Sequence, residues 1–160
     1  MANVTVTAEP GTQEIRMTRV FDAPRDLVFK VYTAPEHIPQ WWGPRYLTTV
    51  VDKMDARTGG SWRFVQHDQQ GNEFAFHGVY HDIVASERTV STFEWEGLPG
   101  HVLLETAIFE TLPDGKTRIT TSSVFQSVED RNGMLSSGME GGAQESYERF
   151  AELLAKVAVS

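Results

Sequence analysis

The chain has 160 residues, enough for one domain whose single core folds unaided, and its 40% apolar and 22% charged residues are ordinary for a globular protein. A net charge of −8, from 14 basic and 22 acidic residues, sets up a field that repels nucleic acid and anionic membrane, and no run of Lys or Arg offers a local exception. The absence of cysteine excludes disulfides, thiolate metal sites and cysteine nucleophiles.

The N-terminal Met1-Ala2-Asn3-Val4-Thr5-Val6 has neither the basic nor the long apolar part of a signal peptide. Nowhere do about 18 apolar residues run uninterrupted, as a membrane-spanning helix needs. The expectation is therefore a soluble cytoplasmic protein with no nucleic-acid and no membrane partner. Residues 1–11 are small and polar and end in Pro10-Gly11, which reads as a flexible arm before a single domain over 12–160.

From Thr12 to Phe21, Ile15, Met17 and Phe21 fall on one side while Arg16, Thr18 and Val20 take the other, the alternation of a strand. Pro24 suits a helix start, and Asp26 sets a negative charge among the unpaired N–H groups of the first turn. Leu27, Val28, Val31 and Tyr32 form its apolar stripe, giving a short helix to about Thr33. A second helical turn is expected from Pro35, cut off by Pro39.

Six strands are predicted next: Tyr46 to Met54, Ser61 to His67, Glu73 to Val84, Thr89 to Trp95, His101 to Thr111 and Thr117 to Phe125. Leu98-Pro99-Gly100 and Leu112-Pro113-Asp114-Gly115 are turns in which proline presets φ and glycine accepts a positive φ. Such short connections make neighbouring strands antiparallel partners. After Val128 the period becomes helical, with Met139, Ala143, Tyr147, Phe150, Leu154 and Val157 on one face of a long helix that starts between Glu129 and Ser137. Gly138, Gly141 and Gly142 in its first half imply close packing, room for a ligand, or fraying. The fold class is α+β: a curved antiparallel sheet of about six to seven strands gripping a long C-terminal helix, with two short helices after the first strand.

The order of these elements, with Phe21-Asp22-Ala23-Pro24, Val28-Phe29, Trp41-Trp42-Gly43-Pro44, Gly59-Gly60, Gly78-Val79-Tyr80 and Gly138-Met139-Glu140, resembles the helix-grip START-like (SRPBCC) superfamily. Within it the chain is similar to the branch named for the C-terminal domain of the heat-shock-protein-90 ATPase activator, from about Thr12 to Ala155. The chain departs from that pattern at Met139, where the family often has tryptophan, and at Pro39. The resemblance implies the fold and a cavity. It does not imply one activity, since the superfamily includes lipid and hormone carriers, polyketide cyclases, oxygenase domains and co-chaperone domains.

Aromatic residues are ordinarily core, but a curved sheet and a helix laid across it leave a void unless bulky side chains fill it. The expected ligand-binding set is Trp42, Trp62, Phe64, His77, Tyr80, Trp95, Glu105, Phe109 and Met139, in a cavity between the sheet and the C-terminal helix. His77, Glu94, His101, Glu105 and Arg63 are the polar candidates for orienting a guest, set against a reading as convex-face surface residues. Strand alternation does not decide which face is concave, because both faces of several strands are apolar.

His77 and His81 share a strand face about 13 Å apart, too far for one ion, so no metal is assigned. The serines lack a nucleophile-elbow context, Gly138-Met139-Glu140-Gly141-Gly142 lacks the lysine of a phosphate loop, and no catalytic residue or cofactor is assigned. Binding of a small hydrophobic or aromatic molecule is the expected function. The alternatives are a cyclase, dehydratase or hydrolase using the same cavity, and a co-chaperone-like interaction domain. Edge strands leave room for a homodimer.

Overall fold

The computed structural model describes residues 3–159. Its strands are β1 (Thr5–Thr7), β2 (Glu14–Phe21), β3 (Thr48–Met54), β4 (Ser61–His67), β5 (Glu73–Val84), β6 (Arg88–Trp95), β7 (Val102–Thr111) and β8 (Thr117–Phe125). They form one antiparallel sheet in the order β1-β2-β8-β7-β6-β5-β4-β3. The helices are α1 (Arg25–Tyr32), α2 (Ile38–Trp41), α3 (Val128–Ser136) and α4 (Met139–Ala158).

The sheet has eight strands where six to seven were expected. The additional one, β1, lies in the segment read as a flexible arm, and its three residues pair with Arg16, Met17 and Thr18. Two further ties hold the segment. Val4 is buried, with its N–H donating to Gln144 Oε1 and its carbonyl accepting from Gln144 Nε2, both at 3.1 Å. The buried Arg131 of α3 donates to the Glu9 carbonyl at 2.8 Å and the Glu14 carbonyl at 3.3 Å. Residues 1 and 2 of the expected arm, and Ser160, lie outside the described residues.

Pro39 does not terminate the second helix; it sits inside the first turn of α2, where the missing N–H has no intrahelical partner to lose. The long C-terminal helix is two helices. Ser127 caps α3 by accepting from the Asp130 N–H at 3.0 Å, and Gly138, at φ +84°, breaks the chain between α3 and α4 in a conformation that side chains with a Cβ resist.

Register shifts between Val51 and Lys53 and between Tyr80 and Asp82 mark bulges, which bend and twist a sheet. Gly78 allows a close approach: a Cβ there would stand 1.9 Å from the Thr92 carbonyl oxygen and 2.7 Å from Trp62 Nε1.

The sheet's inner face meets α4 through Tyr147, Phe150, Leu153 and Leu154, all buried. Phe150 is fully buried, with its ring centroid 4.8 Å from that of Trp41, 5.1 Å from Phe21 and 6.0 Å from Tyr32. Arg149 and Ser146 fasten the α2 turn to the same helix: Arg149 donates to the carbonyls of Gly43 and Pro39, and Ser146 Oγ to that of Trp41. Phe150→Ala should therefore cost about 3–5 kcal/mol, as truncation of a close-packed phenylalanine does. Chemical denaturation at constant slope checks this, and a loss under about 1 kcal/mol would mean that the seam does not hold the helix down.

Candidate ligand-binding site

Strand pairing settles which side chains face the hollow. On β4, Trp62, Phe64 and Gln66 are buried. Opposite them stand Gly78, Phe76 and Phe74 of β5. Phe76 pairs with Trp95, Ser91 with Glu105, and Glu105 with Ser123, so these residues share the inner face.

The rings of Trp42, Trp62, Phe64, Phe76 and Phe93 meet in the middle of this face, with centroid separations from 4.7 Å for Trp62–Phe64 to 6.5 Å for Trp42–Phe93. They divide the interior instead of filling it. On one side is a chamber of about 120 Å³ between the sheet and the α1–α2 turn, lined by Tyr32, Trp41, Trp42, Trp62, Phe64, Tyr80, Ser91, Glu105 and others. On the other side is a cavity of about 470 Å³, walled by Phe74, Phe76, Trp95, Leu103, Phe125 and, from α3, Met134. Phe93 borders both.

Trp42, Trp62, Phe64, Tyr80 and Glu105 thus line the smaller chamber and Trp95 the larger cavity. Three positions of the expected set line neither void. Phe109 packs edge-on against Phe29 at 5.1 Å and Tyr32 at 5.2 Å, deep in the core. Met139 packs against the satellite cluster of Ile15, Leu103 and Phe125 and borders neither void. His77 is on the convex face, opposite Arg63 and one residue out of phase with Phe76. The location differs as well: the larger cavity lies under α3, not under the long C-terminal helix.

Wall residues absent from the expected set include Tyr32, Trp41 and Ser91 in the smaller chamber and Phe74, Phe76, Phe93, Leu98, Leu103, Phe125 and Met134 in the larger cavity. Phe74, Phe76, Phe93 and Phe125 were visible as aromatic strand residues, but the signal for the inner face is the pairing, which the sequence does not print.

His77, with Arg63, Glu94 and Glu96, forms a convex-face charge cluster. Arg63 Nε donates to Glu96 Oε2 at 2.8 Å, and His77 lies 2.9 Å from Glu96 and 3.4 Å from Glu94. The Arg63 hydrogen bonds, with a smaller contribution from His77, bring the Glu96 carboxyl down to about 2. His101 meets Asp130 of α3 at 2.9 Å on the rim of the larger cavity, pinning the start of β7 to that helix. Among the described residues no group of three His, Asp or Glu side chains is placed to hold a metal ion, and no helix is long and apolar enough to cross a membrane.

Glu105 is the carboxyl that lines the smaller chamber. Burial pushes its carboxyl above the ordinary value, while hydrogen bonding from Ser123, at 3.5 Å, and from Tyr32 pulls the other way. Burial also raises the hydroxyls of Tyr32, Tyr80 and Tyr147, which remain protonated donors at neutral pH. Trp41 adds an indole N–H that is buried without a hydrogen-bond partner among the described residues.

A raised carboxyl in the folded state holds its proton where the unfolded chain has released it. Its contribution to stability is complete below the unfolded value of about 4.3 and is lost as pH climbs through the folded value. In Glu105→Gln this loss should disappear, so the melting temperature of the variant relative to the parent should rise from pH 4 to pH 8. A difference that stays flat across that range would show that Glu105 titrates normally.

Residues 22–155 match the family described as activator of Hsp90 ATPase homolog 1-like protein. No curated protein sequence matches the chain. Among solved structures, a protein from Rhodobacter sphaeroides superposes with a TM-score of 0.88 at 19% identity, covering 96% of this chain and 99% of its own. A protein from Arthrobacter aurescens gives 0.86 at 22% identity, over 95% and 91% of the two chains, and one from Mycobacterium smegmatis gives 0.84 at 23%, over 94% and 96%. At such identities the superpositions establish the fold alone, and with the match over 22–155 they show that this chain belongs to the Hsp90 ATPase activator homolog 1-like family of the START-like fold.

Proposed function

We propose that the protein binds a small hydrophobic or aromatic molecule inside the grip of its sheet. The observation that carries this reading is the cavity of about 470 Å³ under α3, whose walls are four phenylalanines, Trp95, Leu98, Leu103 and Met134. A volume in the range of natural ligand pockets, apolar walls and a few polar groups at the rim are the ordinary attributes of a small-molecule site. Burial of apolar ligand surface would supply most of the affinity, at roughly 25 cal/mol per Å² before ordering costs.

The co-chaperone-like reading rests on the outer sheet face, where Leu104, Ile108 and Val124 are each more than two-fifths exposed. That reading does not use the internal volume. An enzyme of cyclase, dehydratase or hydrolase type would work instead in the smaller chamber, where Glu105 is the lining carboxyl.

The test uses N-phenyl-1-naphthylamine, a neutral probe whose fluorescence rises in apolar surroundings. It should bind the protein saturably. Trp95 is 41% exposed, so Trp95→Ala should leave the fold intact while weakening the probe about tenfold, the share of an aromatic wall residue in contact with a guest. Absence of saturable binding by the parent protein, or equal binding by the variant, would remove the cavity as the site.

A further inference from the structure

On the reading that the larger cavity receives the apolar part of a ligand, the chamber beyond Phe93 defines the rest of it. We infer that the ligand is an aromatic molecule ending in a neutral hydroxyl or carbonyl group, and that this group passes Phe93 to sit on Glu105 and Tyr80.

Three observations lead there. First, the two voids are neighbours separated by one aromatic layer, and Phe93 borders both. Phe93 is only partly buried and holds its place by ring contacts at 5.3–6.5 Å with Phe76, Trp62 and Trp42, not by hydrogen bonds. A phenyl ring so held can change rotamer without breaking a polar contact.

Second, the chamber concentrates polar atoms that the fold alone uses sparingly. Glu105 has a long 3.5 Å bond from Ser123 and a neighbouring hydroxyl from Tyr32. Tyr80, also buried, lines the same chamber. Buried donors and acceptors are nearly always paired, so a guest atom that both accepts and donates fits this chamber better than a hydrocarbon does.

Third, the charge balance selects among polar groups. No Lys or Arg lines the chamber, so a buried carboxylate or phosphate would sit uncompensated beside Glu105. A cationic amine would need Glu105 ionised, which its burial opposes. A phenol or ketone requires neither. It accepts from Tyr80 or from protonated Glu105, and a phenol also donates to the carboxyl. The chamber, at about 120 Å³, holds the end of a molecule and not the whole of one.

The experiment compares biphenyl, 4-phenylphenol, biphenyl-4-carboxylate and 4-phenylbenzylamine by displacement of N-phenyl-1-naphthylamine from the parent protein, Glu105→Leu, Glu105→Gln and His101→Ala, each checked for a single cooperative melting transition above the assay temperature. In the parent, 4-phenylphenol should bind about tenfold tighter than biphenyl, the worth of one well-made buried hydrogen bond, and the two charged compounds more weakly than 4-phenylphenol. Glu105→Leu should erase that preference while biphenyl binding is kept. Glu105→Gln, which retains a donor and an acceptor, should restore part of it, and covers the case in which the leucine variant does not fold.

Equal affinities for biphenyl and 4-phenylphenol in the parent, or a preference for the acid or the amine, would overturn the inference and leave the cavity reading standing. So would a phenol preference that survives Glu105→Leu or vanishes in His101→Ala, since the hydroxyl would then sit at the rim of the larger cavity. If none of the four compounds displaces the probe, the cavity reading and the inference fall together.

Discussion

The seam between α4 and the α1–α2 turn constrains everything else in this fold. Phe150 and Tyr147 from α4, Phe21 from the second strand, and Tyr32 and Trp41 from the ends of α1 and α2 interlock, edge to face except for the stacked Trp41–Tyr147 pair, and Arg149 and Ser146 hold the turn's carbonyls in place. Aromatic packing of this kind is directional, so it fixes the height at which the helix rides over the sheet. The other half of the sheet, β4 to β6, is then covered by rings that project from its own strands and from Trp42. Five large planar groups brought together by a preset backbone meet in the middle and leave space on either side.

Alternation along a strand gives identical residue types opposite chemistry. Glu94 and Glu96 flank Trp95 on the convex side, and the Glu96 carboxyl is brought low by Arg63 and His77. Glu105, one strand over on the concave side, is pushed up by burial. The difference arises from the period of two and from the pairing that sets its phase, not from local sequence. A shift of one residue in the β6–β7 register would exchange the surroundings of these carboxyls and turn the apolar walls outward.

Much of the fold was legible in the sequence because its signals are local. Proline-glycine turns bracket the strands, and their predicted limits differ from the observed ones by a residue or two. The α4 face containing Tyr147, Phe150 and Leu154 follows from spacing alone. What escaped depends on long-range pairing. Phe76 and His77 are adjacent and both suit a strand, yet only the register against Phe64 and Arg63 shows which of them faces the hollow. Phe109 shares the inner face with Glu105 but lies where the α1 helix fills the space, a fact of tertiary packing. The division into α3 and α4 was half legible. Gly138 was singled out, but an added Cβ there would meet nothing within 4 Å, so its role is its left-handed backbone and not close packing.

The N-terminal segment bears on where the folded unit begins. Val4 clips to Gln144 on α4, and Glu9 offers its carbonyl to Arg131 on the helix that roofs the larger cavity. One stretch of backbone thus acts as a strap across two helices that Gly138 has uncoupled. Trimming the protein to the 22–155 span that carries the family likeness would cut that strap and deprive the roof of its guanidinium anchorage. The folded unit therefore reaches beyond the 22–155 span that the family likeness marks out.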